Sequence, residues 1–363
     1  MKQYPHVFDP IRVGGVILKN RIISAPTTIH TASSGQPYPT EESLRFFEQR
    51  SISGAGLVTC GGVQIGGAVG DGQHCRWDVT VWDHLNRLAD MAERIHRHGA
   101  RCTMELLGIF PNGRTVSDGC SIMGQEKVGK EIMIPEMEQF KKDCINTAVQ
   151  VQKVGFDGIL LHAGHSVPLG QFLSPATNRR TDQYGGSTEN RCRYVVEILD
   201  GIREACGPDF LLDVRISGDE VAPGTIDLEE GLRIAEILQG HCNILQASCG
   251  MHNPQLMTHV HPCGFLPPVP NVYIAEHWKR SGRIDKCLVS TIGGIHTLEE
   301  CEAILAAGKA DFVVAARGFI ADPEWIHKGL QGRSEDVVPC IACMRCHDSD
   351  NYAHHMQCAV NPR

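Results

Sequence analysis

The chain ends in a stretch built for ligation: Pro339-Cys340-Ile341-Ala342-Cys343-Met344-Arg345-Cys346-His347, followed by Cys358. The spacing C-x2-C-x2-C-x11-C brings four thiolates within reach of one group. Four cysteine thiolates are the ligand set of a [4Fe–4S] cluster. Zinc with all-cysteine ligands is a rival, although structural zinc usually takes its cysteines as two separated C-x2-4-C pairs. Cys343-Met344-Arg345-Cys346-His347 also fits the C-x-x-C-H signature of covalent haem attachment. That reading leaves Cys340 and Cys358 idle and calls for an export signal. Disulfides are the third rival, and a reducing compartment argues against them. The order of preference is iron–sulfur, then zinc, then haem.

Other chemistry-bearing residues fall at the ends of apolar runs. His162 and His165 stand three apart in Leu161-His162-Ala163-Gly164-His165. Such a pair could bind a metal, donate to a carbonyl, or be satisfied within the fold; a catalytic metal would need a third ligand, which is not obvious. Arg215 lies in Asp213-Val214-Arg215-Ile216-Ser217, where a guanidinium is costly unless it meets an anion or an electron-rich group. Gly293-Gly294 and Ala316-Arg317-Gly318 could present backbone N–H groups and one cation to a phosphate, or could be ordinary turns with a surface Arg. No G-x-G-x-x-G occurs, so there is no Rossmann-type dinucleotide fingerprint.

These residues must be positioned by a repeating framework. Strands are expected at Arg21–Ser24, Leu57–Cys60, Cys102–Leu106, Asp157–Leu161, Phe210–Arg215, Ile244–Gln246, Cys287–Ile292 and Phe312–Val314. Helices are expected at Thr40–Ser53, Asp83–His98, Pro135–Val154, Thr188–Cys206, Asp227–Leu238 and Val272–Arg280, with two more opening at Thr297 and Asp322. Thr297-Leu298-Glu299-Glu300 is a capping box. Eight strand–helix repeats predict an α/β fold, a (β/α)8 TIM barrel with enlarged loops. A doubly wound sheet is the structural alternative, but it would have to be very wide. In a barrel, function sits where strands run into the following loops.

Composition narrows the class. The chain has 363 residues, 42% of them hydrophobic, enough for one large barrel. A formal charge of −8 makes no electrostatic case for nucleic acid or an anionic membrane. No apolar run approaches the ~20 residues that span a bilayer, and the start lacks a secretory h-region, so a cytoplasmic location is expected. Of sixteen cysteines, the twelve outside the tail (Cys60, Cys75, Cys102, Cys120, Cys144, Cys192, Cys206, Cys242, Cys249, Cys263, Cys287 and Cys301) read as small buried hydrophobes. So many thiols fit a low-oxygen, anaerobic cell.

Several longer passages carry a resemblance. Phe8-Asp9-Pro10-Ile11 with Leu18-Lys19-Asn20-Arg21, the run Gln171-Phe172-Leu173-Ser174-Pro175 through Asn178–Ser187 to Glu189-Asn190-Arg191, and Arg317 with Asp322-Pro323 are its most specific parts. With the cysteine tail, the chain resembles the old yellow enzyme group of flavin-dependent barrels from about Val7 to Arg363. It is most similar to the iron–sulfur branch that includes 2,4-dienoyl-CoA reductase and trimethylamine dehydrogenase.

The resemblance implies FMN across the barrel mouth, in residues 1–335, and a [4Fe–4S] cluster in residues 336–363. Pro26, Thr27 and Thr28 would line the isoalloxazine, and Cys60 and Gly61 would contribute backbone contacts. Arg215 would face the N1/C2-carbonyl edge, while Gly293, Gly294, Ala316 and Arg317 would hold the phosphate. Cys340, Cys343, Cys346 and Cys358 would ligate the cluster. His162 and His165 match the pair that polarises a substrate carbonyl for hydride attack at the β-carbon.

Three positions depart from the family pattern. Val167 stands where ene-reductases carry a proton-donating Tyr, which makes His252 the candidate proton donor. Glu105 replaces a Gln against the flavin pyrimidine, and a carboxylate accepts but does not donate unless protonated. No cysteine occupies the Thr27-Thr28 position, so no covalent flavin link is expected.

The reading is an FMN- and [4Fe–4S]-dependent ene-reductase of an enone, enoate or enoyl thioester, with NAD(P)H as the ultimate donor. Amine dehydrogenation on the same scaffold is the alternative, disfavoured because no Trp or Tyr falls at these strand ends to form an aromatic bowl. A non-catalytic electron carrier or zinc-stapled protein is the alternative from another class. An electron-donating domain or partner protein and a homo-oligomer are compatible with the reading, and FAD would enter only with a further C-terminal domain.

Overall fold

The computed structural model describes residues 4–27, 37–66, 77–121, 128–253, 256–348 and 356–361. Thr28 and Cys75 lie outside these residues. Eight strands close into a barrel: β1 (Ile22–Ser24), β2 (Leu57–Val63), β3 (Arg101–Leu106), β4 (Gly158–Ala163), β5 (Leu211–Asp219), β6 (Ile244–Cys249), β7 (Leu288–Ile292) and β8 (Phe312–Ala315). Each runs parallel to its neighbour in sequence, and β8 returns to β1 through Val313↔Ile22 and Ala315↔Ser24. Closure excludes the doubly wound alternative.

The surrounding helices are α1 (Glu41–Ser53), α2 (Trp82–Arg97), α3 (Ile134–Lys153), α4 (Thr188–Cys206), α5 (Leu228–Leu238), α6 (Val272–Ser281), α7 (Leu298–Ala306) and α8 (Trp325–Leu330). Side chains of Thr40, Ser187, Asp227 and Thr297 cap α1, α4, α5 and α7 by accepting from backbone N–H groups, each contributing about 1 kcal/mol. Gly54 ends α1 at φ 115°, a left-handed conformation that glycine adopts without a Cβ clash.

Strand alternation sorts the barrel into two populations. Leu212, Val214 and Ile216 of β5 belong to the large outer core between strands and helices. Leu211, Ile244, Leu57, Phe312 and Val314 belong to a second cluster inside the barrel. A short antiparallel pair, Ile11–Val13 with Val16–Leu18, adds Val13 and Leu18 to that inner cluster and so plugs the end where the strands begin. By the two-residue period of a strand, Thr59, Thr103, Glu105, His162, Asp213, Arg215, Gln246, Ser248 and Ser290 also face inward. The inner wall is thus apolar at one end and polar towards the other.

The structure corrects several expectations. β5 and β6 run on to Asp219 and Cys249, because Ser217 and Ser248 still pair across the sheet. The helix expected from Asp322 begins at Trp325 and runs to Leu330; Asp322, before Pro323, is extended at φ −139° and ends a separate short helix, Arg317–Ala321. The N-terminal hairpin and a helix at Pro168–Leu173 were not foreseen. Of the scattered cysteines, Cys206, Cys263 and Cys287 are only partly buried. Among the described residues, no helix is long and apolar enough to cross a membrane.

Candidate active site

At the ends of β3, β4 and β6 a buried polar chain crosses the barrel mouth. His162 Nδ1 meets Glu105 Oε1 at 3.1 Å, and His162 Nε2 meets His165 Nδ1 at 2.9 Å. His165 Nε2 meets Ser248 Oγ at 2.7 Å. With Glu105 ionised, one proton order satisfies every member: Ser248 donates to His165, His165 to His162, and His162 to the carboxylate. Burial, followed by the neighbouring His162, holds the His165 pKa well below the ordinary imidazole value.

Local backbone geometry sets this arrangement. His165 and Ser166 have φ of 54° and 59°, unusual for residues with a side chain and frequent at functional sites. The turn is pinned because His165 N–H donates to Ser217 Oγ at 2.8 Å, while that hydroxyl donates to Gly250 O at 2.7 Å. His252 N–H donates to His165 O at 3.2 Å, and the two rings stand 6.0 Å apart. Half-buried His252 therefore joins the pair, its pKa pushed down to about 4 by desolvation and by His162. Val167 is buried and opens the short helix beyond the turn.

Arg215 lies beside this chain. Its Nε donates to Gln246 Oε1 at 2.5 Å, and its Nη1 is 3.6 Å from Glu105 Oε1. Arg215 Nη2 and Gln246 Nε2 are buried without a hydrogen-bond partner among the described residues. Two orphaned donors at the mouth fit an acceptor-rich ligand edge, because leaving them unmet costs about 1–3 kcal/mol each. A Cβ on Gly61 would stand 3.0 Å from Thr27 N, 3.2 Å from Glu105 Oε2 and 3.2 Å from Pro26 Cβ. Pro26, Thr27, Gly61 and Glu105 are thus brought together. Cys60 belongs to the outer core, so only its backbone is available to the mouth.

The Gly293-Gly294 turn sits on the other side. Both glycines have positive φ, and a Cβ on Gly293 would reach within 2.3 Å of Asn271 Nδ2. Ala316 directly follows β8, packs against the inner cluster and precedes Arg317. The Arg317 guanidinium reaches Met344 Sδ at 3.3 Å and lines a small pocket with Cys340, Cys343, Cys346 and Cys358. The four cysteines meet, next to the residue expected at a phosphate.

Zinc and haem can be weighed on this geometry. Tetrahedral Zn–S bonds of ~2.3 Å place sulfurs about 3.8 Å apart. Among the described residues, no three of these thiols lie within 4.8 Å of one another. All four cysteines line the pocket, whereas haem attachment would use only two. Ala342 N–H donates to Cys340 Sγ at 3.4 Å, a bond that favours a thiolate. Burial raises the Cys340 and Cys346 pKa values, opposed in part by Arg317.

One trio of metal-type ligands does lie within 4.8 Å, His96, Cys102 and Asp157. It closes on itself at the opposite end of the barrel. Asp157 accepts from His96 at 2.7 Å, from Cys102 N–H at 2.8 Å and from Arg101 at 3.0 Å. Sequence reasoning missed Ser217, Gln246, Ser248, Asn271 and Met344 as parts of the sites. Two-residue spacing from Arg215 to Ser217, and from Gln246 to Ser248, was the available signal.

Known proteins share this arrangement of chain. The family model for the NADH:flavin oxidoreductase / NADH oxidase family matches residues 6–336. An NADH oxidase of Thermoanaerobacter brockii is 33% identical over 379 residues, covering 100% of this chain and 56% of that protein. The N,N-dimethylglycine/sarcosine dehydrogenase of Chromohalobacter salexigens is 27% identical over 378 residues, covering 98% of this chain and 52% of that one. The structure of 2-naphthoyl-CoA reductase with 2-naphthoyl-CoA superposes with a TM-score of 0.88 at 25% identity, covering 99% of this chain and 57% of that one. The chain therefore spans little more than half the length of these relatives.

Proposed function

The chain belongs to the NADH:flavin oxidoreductase / NADH oxidase family, and on that premise we propose that it reduces an activated C=C bond using FMN and a [4Fe–4S] cluster. The observation that carries this reading is the buried Glu105–His162–His165–Ser248 chain beside Arg215. Pro26, Thr27, the Cys60 and Gly61 backbone, Glu105 and Arg215 would hold the flavin ring, with Thr28 as a further expected contact. Gly293, Gly294, Ala316 and Arg317 would hold its phosphate, and bound FMN would supply hydride transfer. Residues 336–363 would hold the cluster through Cys340, Cys343, Cys346 and Cys358, supplying one-electron transfer.

The chain's own residues do the rest. His162 and His165 hold a substrate carbonyl or carboxylate by hydrogen bonds once substrate displaces the contact between them, which withdraws charge from the conjugated bond. His252, a neutral imidazole near pH 7 because its pKa is pushed down to about 4, would hold the proton for the α-carbon on its ring N–H, a task Val167 has no group to perform. NAD(P)H, directly or through an electron-donating domain or partner, would be the ultimate donor, in the cytoplasm. FAD would belong only to such a further domain. Similarity to an amine dehydrogenase keeps amine oxidation as the second reading. An amine cation favours aromatic faces, whereas Glu105, His162, His165, Arg215, Gln246 and Ser248 make this site imidazole- and amide-rich.

Anaerobic purification tests the cofactors through flavin bands and a broad iron–sulfur absorption that bleaches on reduction. Reoxidation of the reduced protein by a panel of unsaturated acids, thioesters, steroids and polyphenols tests the reaction. Zinc without iron, or reduction of the flavin by secondary amines with no reoxidation by any activated alkene, overturns the proposal.

A further inference from the structure

The interior of a (β/α)8 barrel is normally filled by bulky branched side chains, and Asp213 breaks that rule. It lies on β5 two residues before Arg215 and is 1% exposed. Neither carboxylate oxygen has a hydrogen-bond partner among the described residues. In register, Asp213 stands beside Leu160, and Leu160 beside Glu105, so two inward-facing carboxyl groups flank one leucine. Arg215 rises one step above Asp213 on the same face and pairs with Glu105. Two acids and one guanidinium in a buried row leave one negative charge uncompensated, which is costly away from water. Glu105 is held by His162 and Arg215, so the uncompensated charge falls to Asp213.

We propose that Asp213 is a proton-holding positioning residue, taking up one proton from solvent when negative charge arrives at the Arg215 end of the site. The inference rests on the reading of that site as a flavin site. No bond changes partner in this step: electrons arriving at the ligand beside Arg215 raise the proton affinity of the carboxyl below it, and solvent supplies the proton. Burial already lifts the Asp213 pKa to about 7, against the pull of Arg215. The titratable groups around it are Arg215 on its own strand, Glu105 on β3, His162 on β4, and Cys242 before β6, whose thiol contacts Cys287. Charges of α5, including Glu230 and Arg233, lie beyond the outer face of β5. Gln246 Nε2 on neighbouring β6 and Ser290 Oγ on β7, one strand further, are also buried without partners among the described residues.

The test is the pH dependence of the flavin reduction potential in purified holoprotein. Above pH ~7 the wild type should take up one proton more than Asp213→Asn per two electrons. That is a tenfold difference in the reduction equilibrium per pH unit, about 30 mV for a two-electron couple. The same dependence in a flavin-loaded Asp213→Asn protein overturns the inference. A second measurement needs no variant: reduced-minus-oxidised infrared spectra of wild type carrying 13C-carboxyl aspartate. An isotope-shifted band of a protonated carboxyl on reduction supports the proposal, and its absence overturns it. Protein purified without flavin overturns the site reading as well, which separates the two failures.

Discussion

At the barrel mouth, Glu105, His162, Arg215 and Ser248 stand on four strands whose registers are set by sheet hydrogen bonds, and their side chains are joined before any ligand arrives. In the tail, Cys340, Cys343, Cys346 and Cys358 stand on loop, with Ala342 and Met344 at φ of 52° and 64°. Cys343 is exposed and the other three are partly exposed. The mouth is positioned by strand register and its own hydrogen bonds. A metal group bound there, as proposed, would add to the order of the tail, as metal binding does in small metal-stapled segments. Arg317 belongs to both regions, following β8 and touching Met344.

The contrast between mouth and tail is tested most severely at the cysteines. Cys346→Ser should remove nearly all bound iron and the broad absorption while flavin stays bound, as read by metal analysis and visible spectra. Simultaneous loss of flavin would show that the mouth depends on the tail. At the mouth, His252→Asn should slow substrate-driven flavin reoxidation by about 100-fold, the low end of general-acid effects, with flavin content unchanged. A rate within twofold of wild type would remove His252 from proton transfer.

Smaller changes probe how far the mouth is preset. Glu105→Gln keeps an acceptor for His162 but removes a buried negative charge beside Arg215. Flavin reduction should become more favourable by about tenfold, one pK unit's worth of interaction, measured as a higher potential. An unchanged potential would mean that Glu105 already carries a proton. The least expected effect is on stability. Asp213 titrates at about 7 in the fold against 3.8 as the ordinary value, so the native state holds a proton that the unfolded chain releases. Stability from this group is lost as pH rises from about 4 to 7 and is level above that. Asp213→Asn should therefore raise the melting temperature by a few degrees at pH 8 and by less at pH 5; an equal gain at both would leave Asp213 without a pH-dependent role.

Much of this was legible one residue at a time. The alternation of strand and helix runs, with Thr40 and Thr297 as caps, specifies the barrel because local periodicity and capping are properties of adjacent residues. The spacing of Cys340, Cys343, Cys346 and Cys358 likewise brings four thiols together, since short loops limit how far they can separate, and they line one pocket. The helix expected from Asp322 starts only at Trp325, because the residue before a proline is pushed out of the helical region. Ser248 and Gln246 were invisible as site residues because a serine or glutamine in a strand looks like any polar residue until its inward face is known.

Residue order alone specified the repeating units of the barrel and offered the candidate side chains for its chemistry. It took the closed barrel to show that His162 bridges Glu105 to His165, that Arg317 reaches the cysteine pocket, and that Asp213 lies in one row with Glu105. Those relations depend on strand register and barrel closure, which join positions 31 to 83 residues apart in the mouth. No local pattern encodes such separations; they exist once the sheet has closed and each inward side chain has acquired its neighbours.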